Sequence, residues 1–363
     1  MQRLTAPRPR LSARAAALAI ALLAASAVPA HAGPFEGARY DFGRGLQLPA
    51  LNLTFAGYTA LRAQNLQQAD ARLDLRDFSV FTIWQPSPRW QFFSEIEAEH
   101  LVIVDDRGVT GSDTEVDVER MYLDYMASAD LTLRVGRYLT PFGRWNQIHA
   151  EPLVWTVTRP LVTQLAIPDH GSGAALLGTL ALGANSLDYI VYADDSADFD
   201  PVNGEADFED VVAPGLSNDF RHAGGGQLRY HFFDDRAELA ASVATFDMTR
   251  HPGRQVAIGV DGLLRWRRLE LSGEFAFRDN GDRIEDDDAG GFAQAVVRLA
   301  GQVYAIGRAE HYHSGILDRD AFRATLGLSW RPLPPLNLKL EYSAGDEPML
   351  VPDGVQMSFS PLF

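Results

Sequence analysis

Residues 336–363 alternate. Leu336, Leu338, Leu340 and Tyr342 take turns with Asn337, Lys339, Glu341 and Ser343. After a polar loop at 345–353, Val355, Met357, Phe359, Pro361 and Phe363 alternate with Gln356, Ser358, Ser360 and Leu362. A period of two over that length means extended strands with one apolar and one polar face. Such a pair sits either on a soluble core or in a lipid-facing barrel. The rest of the chain has to decide between them.

The N-terminus narrows the choice. Residues 1–14 are basic and hold no acid, residues 15–28 are an apolar run, and Ala30-His31-Ala32 is an A-x-A cleavage site before Gly33. Residues 1–32 therefore read as a secretory signal peptide, with a core too short for a good membrane span. Beyond Gly33 no run of eighteen apolar residues occurs, so no transmembrane helix is expected. If the exported chain enters a membrane it does so as a closed barrel, because only closure pairs every backbone group in lipid.

Composition sets further bounds. A length of 363 residues with 46% hydrophobic content suits one large barrel or two soluble domains, and the absence of Cys excludes disulfides and thiol chemistry. The formal charge is −16; without the four leader arginines (Arg3, Arg8, Arg10, Arg14) it is 28 basic against 48 acidic residues, or −20. A nucleic-acid partner needs the opposite sign. The acid suits a cation path, or divalent ions bridging to anionic lipid A.

Residues 33–48 read as a mixed periplasmic lead-in, and 49–62 as the first strand. The segment 72–84 is a second strand with Asp74 and Arg76 opposite Leu73 and Leu75. Gln85-Pro86-Ser87-Pro88 is expected to be a tight turn, because prolines cannot donate to a ladder. Trp84 and Trp90 flank it, as in an interfacial aromatic girdle. In 90–104, Phe92, Ile96, Ala98 and Val102 face one way and Gln91, Glu95, Glu97 and Glu99 the other. That row of carboxylates is a solvated sheet surface or a water-filled lumen. Arg120, Tyr122 and Asp124 share one phase of 116–126, and Thr132 and Arg134 one phase of 131–138. Long loops and short turns then alternate to the end of the chain, giving about sixteen strands, a size that leaves an aqueous channel.

One stretch, 140–170, lacks a clean period of two. It carries Phe142, Trp145, Leu153 and Trp155, too apolar for a disordered loop. Loops longer than about 15 residues are usually functional or disordered. The run Gly136-Arg137-Tyr138-Leu139-Thr140-Pro141-Phe142-Gly143-Arg144-Trp145-Asn146 resembles Gram-negative porins, nearest to the phosphate-selective porin O/P-like group, where a G-R-x-x-T-P-F-G stretch leads into the long loop. The terminal Phe363 at the apolar phase resembles the closing strand of outer-membrane barrels. The resemblance implies a third loop folded inward as a constriction, a homotrimer, and Phe363 as part of the signal read by the barrel assembly machinery. Phosphate-selective relatives are expected to use lysine ladders; the polar phase of the later strands here has only Lys339 beside its arginines, which departs from that pattern.

Three enzyme-like signals are weak. His311 and His313 share a strand face without a third ligand. His170-Gly171-Ser172 lacks a G-x-S-x-G elbow or a matching acid. Asp286-Asp287-Asp288 does not have EF-hand spacing and reads as a solvated loop tip, bridged by divalent ions to lipopolysaccharide.

The expectation is an all-β protein: a transmembrane antiparallel β-barrel over 49–363, with loop 140–170 folded inward. Its function would be passive diffusion of small hydrophilic solutes or ions, with no catalytic residues, metal or cofactor, in the outer membrane of a Gram-negative bacterium. The constriction is expected at Arg144, Asn146, His149, Glu151 and Arg159, and the pore wall at Glu95, Glu97, Glu99, Arg120, Tyr122 and Arg134. Alternatives are an outer-membrane enzyme of phospholipase type and a closed barrel anchoring a partner complex.

Overall fold

The computed structural model describes residues 35–67, 71–106, 108–110, 114–148, 150–199, 220–248, 253–281, 286–315, 317–348 and 350–363. The expected signal peptide and His149 lie outside them.

Strands follow the alternation closely. They are β1 (Arg39–Asp41), β2 (Gly45–Leu48), β3 (Leu53–Leu66), β4 (Arg72–Ser87), β5 (Trp90–Asp105), β6 (Gly108–Thr110), β7 (Glu115–Met126), β8 (Thr132–Leu139), β9 (His170–Leu182) and β10 (Asn185–Asp194). The second half holds β11 (Phe220–Phe232), β12 (Ala237–Met248), β13 (Gln255–Trp266), β14 (Leu269–Asp279), β15 (Asp288–Ala300), β16 (Val303–Ser314), β17 (Arg319–Trp330), β18 (Leu336–Gly345) and β19 (Gly354–Pro361).

Leaving aside the short β1, β2 and β6, sixteen strands pair antiparallel in chain order. The ring closes where β19 meets β3, from Gly354↔Leu66 to Phe359↔Leu61. In lipid each unpaired backbone group costs several kcal/mol, so closure is a condition of spanning. Phe363 extends the seam: Gly57 N–H donates to the Phe363 carbonyl (3.0 Å) and Phe363 N–H to the Gly57 carbonyl (2.9 Å). Its ring stacks on Phe78 at 5.7 Å.

The outward phase is apolar on strand after strand; Leu61, Val135, Leu176, Val191, Leu228, Val260 and Leu326 are all exposed. Exposed Trp84, Trp90, Trp266 and Trp330 stand beside the short turns, and Trp90 packs on Tyr125 at 4.7 Å. An apolar band edged by aromatic rings is the lipid-facing pattern of a membrane barrel. The molecule is therefore a transmembrane barrel with short turns at one end and long loops at the other.

Two local expectations change. The lead-in is not wholly irregular: β1 and β2 form a hairpin, and β2 pairs with β3 from Leu46↔Phe55 to Leu48↔Leu53. Pro86 lies within β4 rather than in the turn, which is confined to 88–89. The β4–β5 register shifts between Trp84 and Ser87, so no ladder bond is asked of Pro86.

Candidate functional site

The two ends of the segment 140–169 between β8 and β9 are joined by one of its own side chains. The buried Asn146 side chain donates to the carbonyls of Thr140 (3.1 Å) and Asp169 (2.9 Å), tying the two ends of the loop together. Between them lie two short helices, Trp145–Ile148 and Leu161–Leu165, the second entered through Pro160. Gly143 has φ +66°, and a Cβ there would collide with the Glu274 carboxylate. Only glycine gives both the left-handed backbone and the close approach.

That approach belongs to a repeated arrangement. Glutamates from three alternate strands accept backbone N–H groups of the loop. Glu274 on β14 takes Arg144 N–H (2.7 Å) and Trp145 N–H; Glu310 on β16 takes Leu161 N–H (2.7 Å). Glu341 on β18 takes Val157 N–H (2.7 Å) and Thr158 N–H (2.9 Å). Cations of the same wall bind loop oxygens. Arg308 reaches Thr156 Oγ1 (2.7 Å) and Thr158 Oγ1 (2.7 Å), Arg278 reaches the Leu165 carbonyl (3.0 Å), and Arg323 reaches the Arg159 carbonyl. Bonds to charged groups contribute about 1.5–3 kcal/mol each.

Apolar groups reinforce the contact. Phe142, Leu161, Val162 and Leu165 share one buried cluster with Phe246, Tyr312 and Val351 of the barrel and its far loop. Gly259 on β13 leaves room for the Phe142 ring, which a Cβ would meet at 2.7 Å. Trp155 packs between Tyr304 (4.9 Å) and the Arg331 guanidinium (3.8 Å), and its indole donates to Glu270 (2.7 Å).

The expected constriction residues play unlike parts. Arg144 pairs with Glu238. Asn146 is 2% exposed, its amide turned onto the Thr140 and Asp169 carbonyls of the loop ends. Glu151 is clamped from three strands: Lys339 Nζ at 2.7 Å, Arg62 at 3.3 Å and Ser358 Oγ at 2.6 Å. Burial alone would push its carboxyl up, but Lys339 and Arg62 outweigh that and hold it below the ordinary carboxylate range. Arg159 pairs with Asp169 at 3.0 Å and fronts the gap described next.

Because the loop is bonded mainly to β11–β19, and to β3–β7 through the Arg62–Glu151 pair, a gap remains between it and the wall of β3–β7. The gap, which is open to solvent, is bordered by Arg62, Asp77, Glu97, Glu99 and Glu119 on the wall and by Val157 and Arg159 on the loop. The expected wall carboxylates are not equivalent. Glu95 is fully buried, held by Ser79 (2.9 Å) and Arg120 (2.5 Å), whereas Glu97 accepts from Tyr58 Oη (2.9 Å) and, like Glu99, borders the gap. Arg134 makes two 2.8 Å bonds to Asp124 and lies over the Tyr122 ring.

Sequence reading missed Asp77 and Glu119 because register shifts at Leu75/Asp77 and Glu95/Ile96 move them onto the inner face. A β-bulge breaks the period of two on which that reading rests. Asp288, expected at a solvated loop tip, is instead buried: it accepts from Asn280 Nδ2 (2.8 Å), Tyr312 Oη (2.9 Å) and Gly315 N–H (2.8 Å) and pairs with Arg278. His170 bonds Glu119 (2.7 Å), and His311 and His313 both approach Asp320.

Among known proteins, no family model matches the chain. An uncharacterized protein of Aquifex aeolicus (strain VF5) is 31% identical over 138 residues, 38% of this chain and 29% of that protein, so the chain spans less than a third of that relative. Solved structures match far more of it. An anion-selective porin from Comamonas acidovorans superposes with a TM-score of 0.59 at 14% identity, covering 86% of this chain and 99% of that one. The outer membrane channel DcaP of Acinetobacter baumannii gives 0.57 at 11% identity, covering 88% and 100%. OmpT of Vibrio cholerae, in its trimer form, gives 0.54 at 9% identity, covering 86% and 99%. The fold is that of outer-membrane porins.

Proposed function

We propose that the protein is a passive diffusion channel for small hydrophilic solutes or ions in a Gram-negative outer membrane. In this reading residues 140–169 form the constriction. The observation that carries it is the set of bonds from Glu274, Glu310 and Glu341 to the loop backbone. They hold the loop against one wall of a sixteen-strand barrel and leave a charged gap at the other. Barrels of this size otherwise keep an open aqueous lumen. The trimer form of the similar Vibrio cholerae OmpT supports a homotrimer here. A phosphate preference has less support, since Lys339 is committed to Glu151.

Stepwise ohmic conductance of the purified protein in planar bilayers tests the reading; folded protein that gives no steps would overturn it. Arg159 borders the gap and Arg144 does not. Low-dielectric walls focus the field at a narrow point, while salt screens over about 8 Å at physiological strength elsewhere. Arg159→Ala should therefore move the reversal potential in a salt gradient towards cations, and Arg144→Ala should move it less. Equal shifts, or none, would remove the loop from the constriction.

A further inference from the structure

The inner face of β3–β7 carries an aromatic strip. Tyr58, Phe81, Phe93 and Tyr122 come from four neighbouring strands and form one series. Their ring centroids are 5.9, 5.9 and 5.2 Å apart in that order. All four face inward: Tyr58 pairs across with Ser79, Phe81 with Glu95, and Phe93 with Tyr122, while Leu61, Trp84 and Leu123 face outward. Tyr58 is buried; Phe81, Phe93 and Tyr122 are half-buried. The loop takes its apolar contacts with β11–β17, on the other wall. Large apolar rings on the polar phase of a channel are costly in water, so a solute that lies against them gains by covering them.

The protein's own side chains indicate which solute. Two guanidinium groups already lie on these rings, each held by a carboxylate. Arg120 is 4.8 Å from the Phe93 centroid and bonded to Glu95; Arg134 is 3.7 Å from the Tyr122 centroid and bonded to Asp124. This is a cation–π arrangement with a charge partner. The neighbouring gap is acid-rich: Asp77, Glu97, Glu99, Glu119 and Glu151 border it against Arg62, Arg76 and Arg159. Tyr58 joins the two regions, since its ring touches Phe81 and its hydroxyl bonds Glu97.

We propose that the gap and the strip together form a binding track for small organic cations with a guanidinium or ammonium group on an apolar stem. The carboxylate excess draws the cation into the gap and repels anions. The rings of Phe81 and Phe93 then receive its charged head, with Glu97 at the border of the gap as the nearby carboxylate. This deepens the reading of the protein as a channel and rests on it.

The test is current block in planar bilayers. The probes are L-argininamide as the cation, benzenesulfonate as an anion with an apolar ring, and maltotriose as a neutral ring solute. Argininamide should block saturably and at least about tenfold more tightly than either other probe. Phe81→Leu with Phe93→Leu keeps apolar bulk but removes the π faces, and should weaken argininamide block by about three- to tenfold. Block is read against each variant's own open conductance, with folding checked by the heat-modifiable band on gels. Glu97→Gln, which leaves the rings in place, should weaken it as well. Tighter block by benzenesulfonate or maltotriose, or argininamide block unchanged in both variants, overturns the proposal. Wild-type protein that conducts without argininamide block sinks this inference alone, whereas folded protein that does not conduct sinks the channel reading.

Discussion

At the scale of single residues, the clamp on Glu151 shows why a buried charge needs all its partners. Lys339 binds the Glu151 carboxylate and also donates to the carbonyls of Glu151 (2.8 Å) and Thr156 (2.9 Å). Removing one member of a buried pair leaves the other uncompensated, at a cost of about 3–5 kcal/mol. Lys339→Met should therefore lower the temperature at which the folded band disappears on gels and make residues 150–158 accessible to protease. Lys339→Met with Glu151→Met should recover part of the loss, because neither member of that pair is then left charged without the other; the Arg62 bond to Glu151 is still lost. A double variant no more stable than the single one would show that the pair does not act as a unit.

At the scale of elements, the loop is a short chain of turns and helices whose stability comes from the wall. Neither helix is long enough to persist alone; isolated helices under about 12 residues are marginal in water. Of the carboxylates that hold the loop, Glu151 is the one paired with two cations, and that pairing needs it ionised. For Glu151 the sign is clear: its folded pKa lies below the ordinary value, so it stabilises the anchored loop above the unfolded pKa of about 4.3 and loses that contribution as pH falls through the folded value. As far as this anchor is concerned, conductance should be flat from about pH 8 to pH 5 and change only below about pH 4. A transition of the Glu151→Gln variant at the same acidic pH as the wild type would show that another group is responsible.

At the scale of the whole molecule, closure is the property everything else depends on. The seam between β19 and β3 is extended by the Phe363–Gly57 backbone pair and the Phe363–Phe78 stack. Intact protein in detergent should give a β-rich circular-dichroism spectrum and a heat-modifiable band, because a closed barrel has no free edge. Phe363→Ala should reduce the amount assembled in the outer membrane without reducing export, and should lower the temperature of unfolding. Normal assembly and an unchanged unfolding temperature would remove Phe363 from both roles.

The period of two in the chain was sufficient for the class of fold, the number of strands, the alternation of long loops with short turns and the faces of most residues. Those are local properties: each residue's side follows from its neighbours along one strand. The run Thr140-Pro141-Phe142-Gly143 also marked the aperiodic loop, and its glycine is required by the approach of Glu274. What the tertiary structure decided is which charges meet. Glu310 and Glu341 face the barrel interior but bind the loop; Glu95 and Glu97 lie on one face, yet one is sealed by Arg120 and Ser79 and the other borders the gap. Phe93 shares the phase of Gln91 and Glu95, and Tyr122 that of Arg120 and Asp124, so their inward positions were legible; that of Phe81, beyond the register shift at Leu75/Asp77, was not. Their alignment depends on cross-strand register and on bulges, which pair residues far apart in sequence. Alternation within one strand carries no information about that pairing.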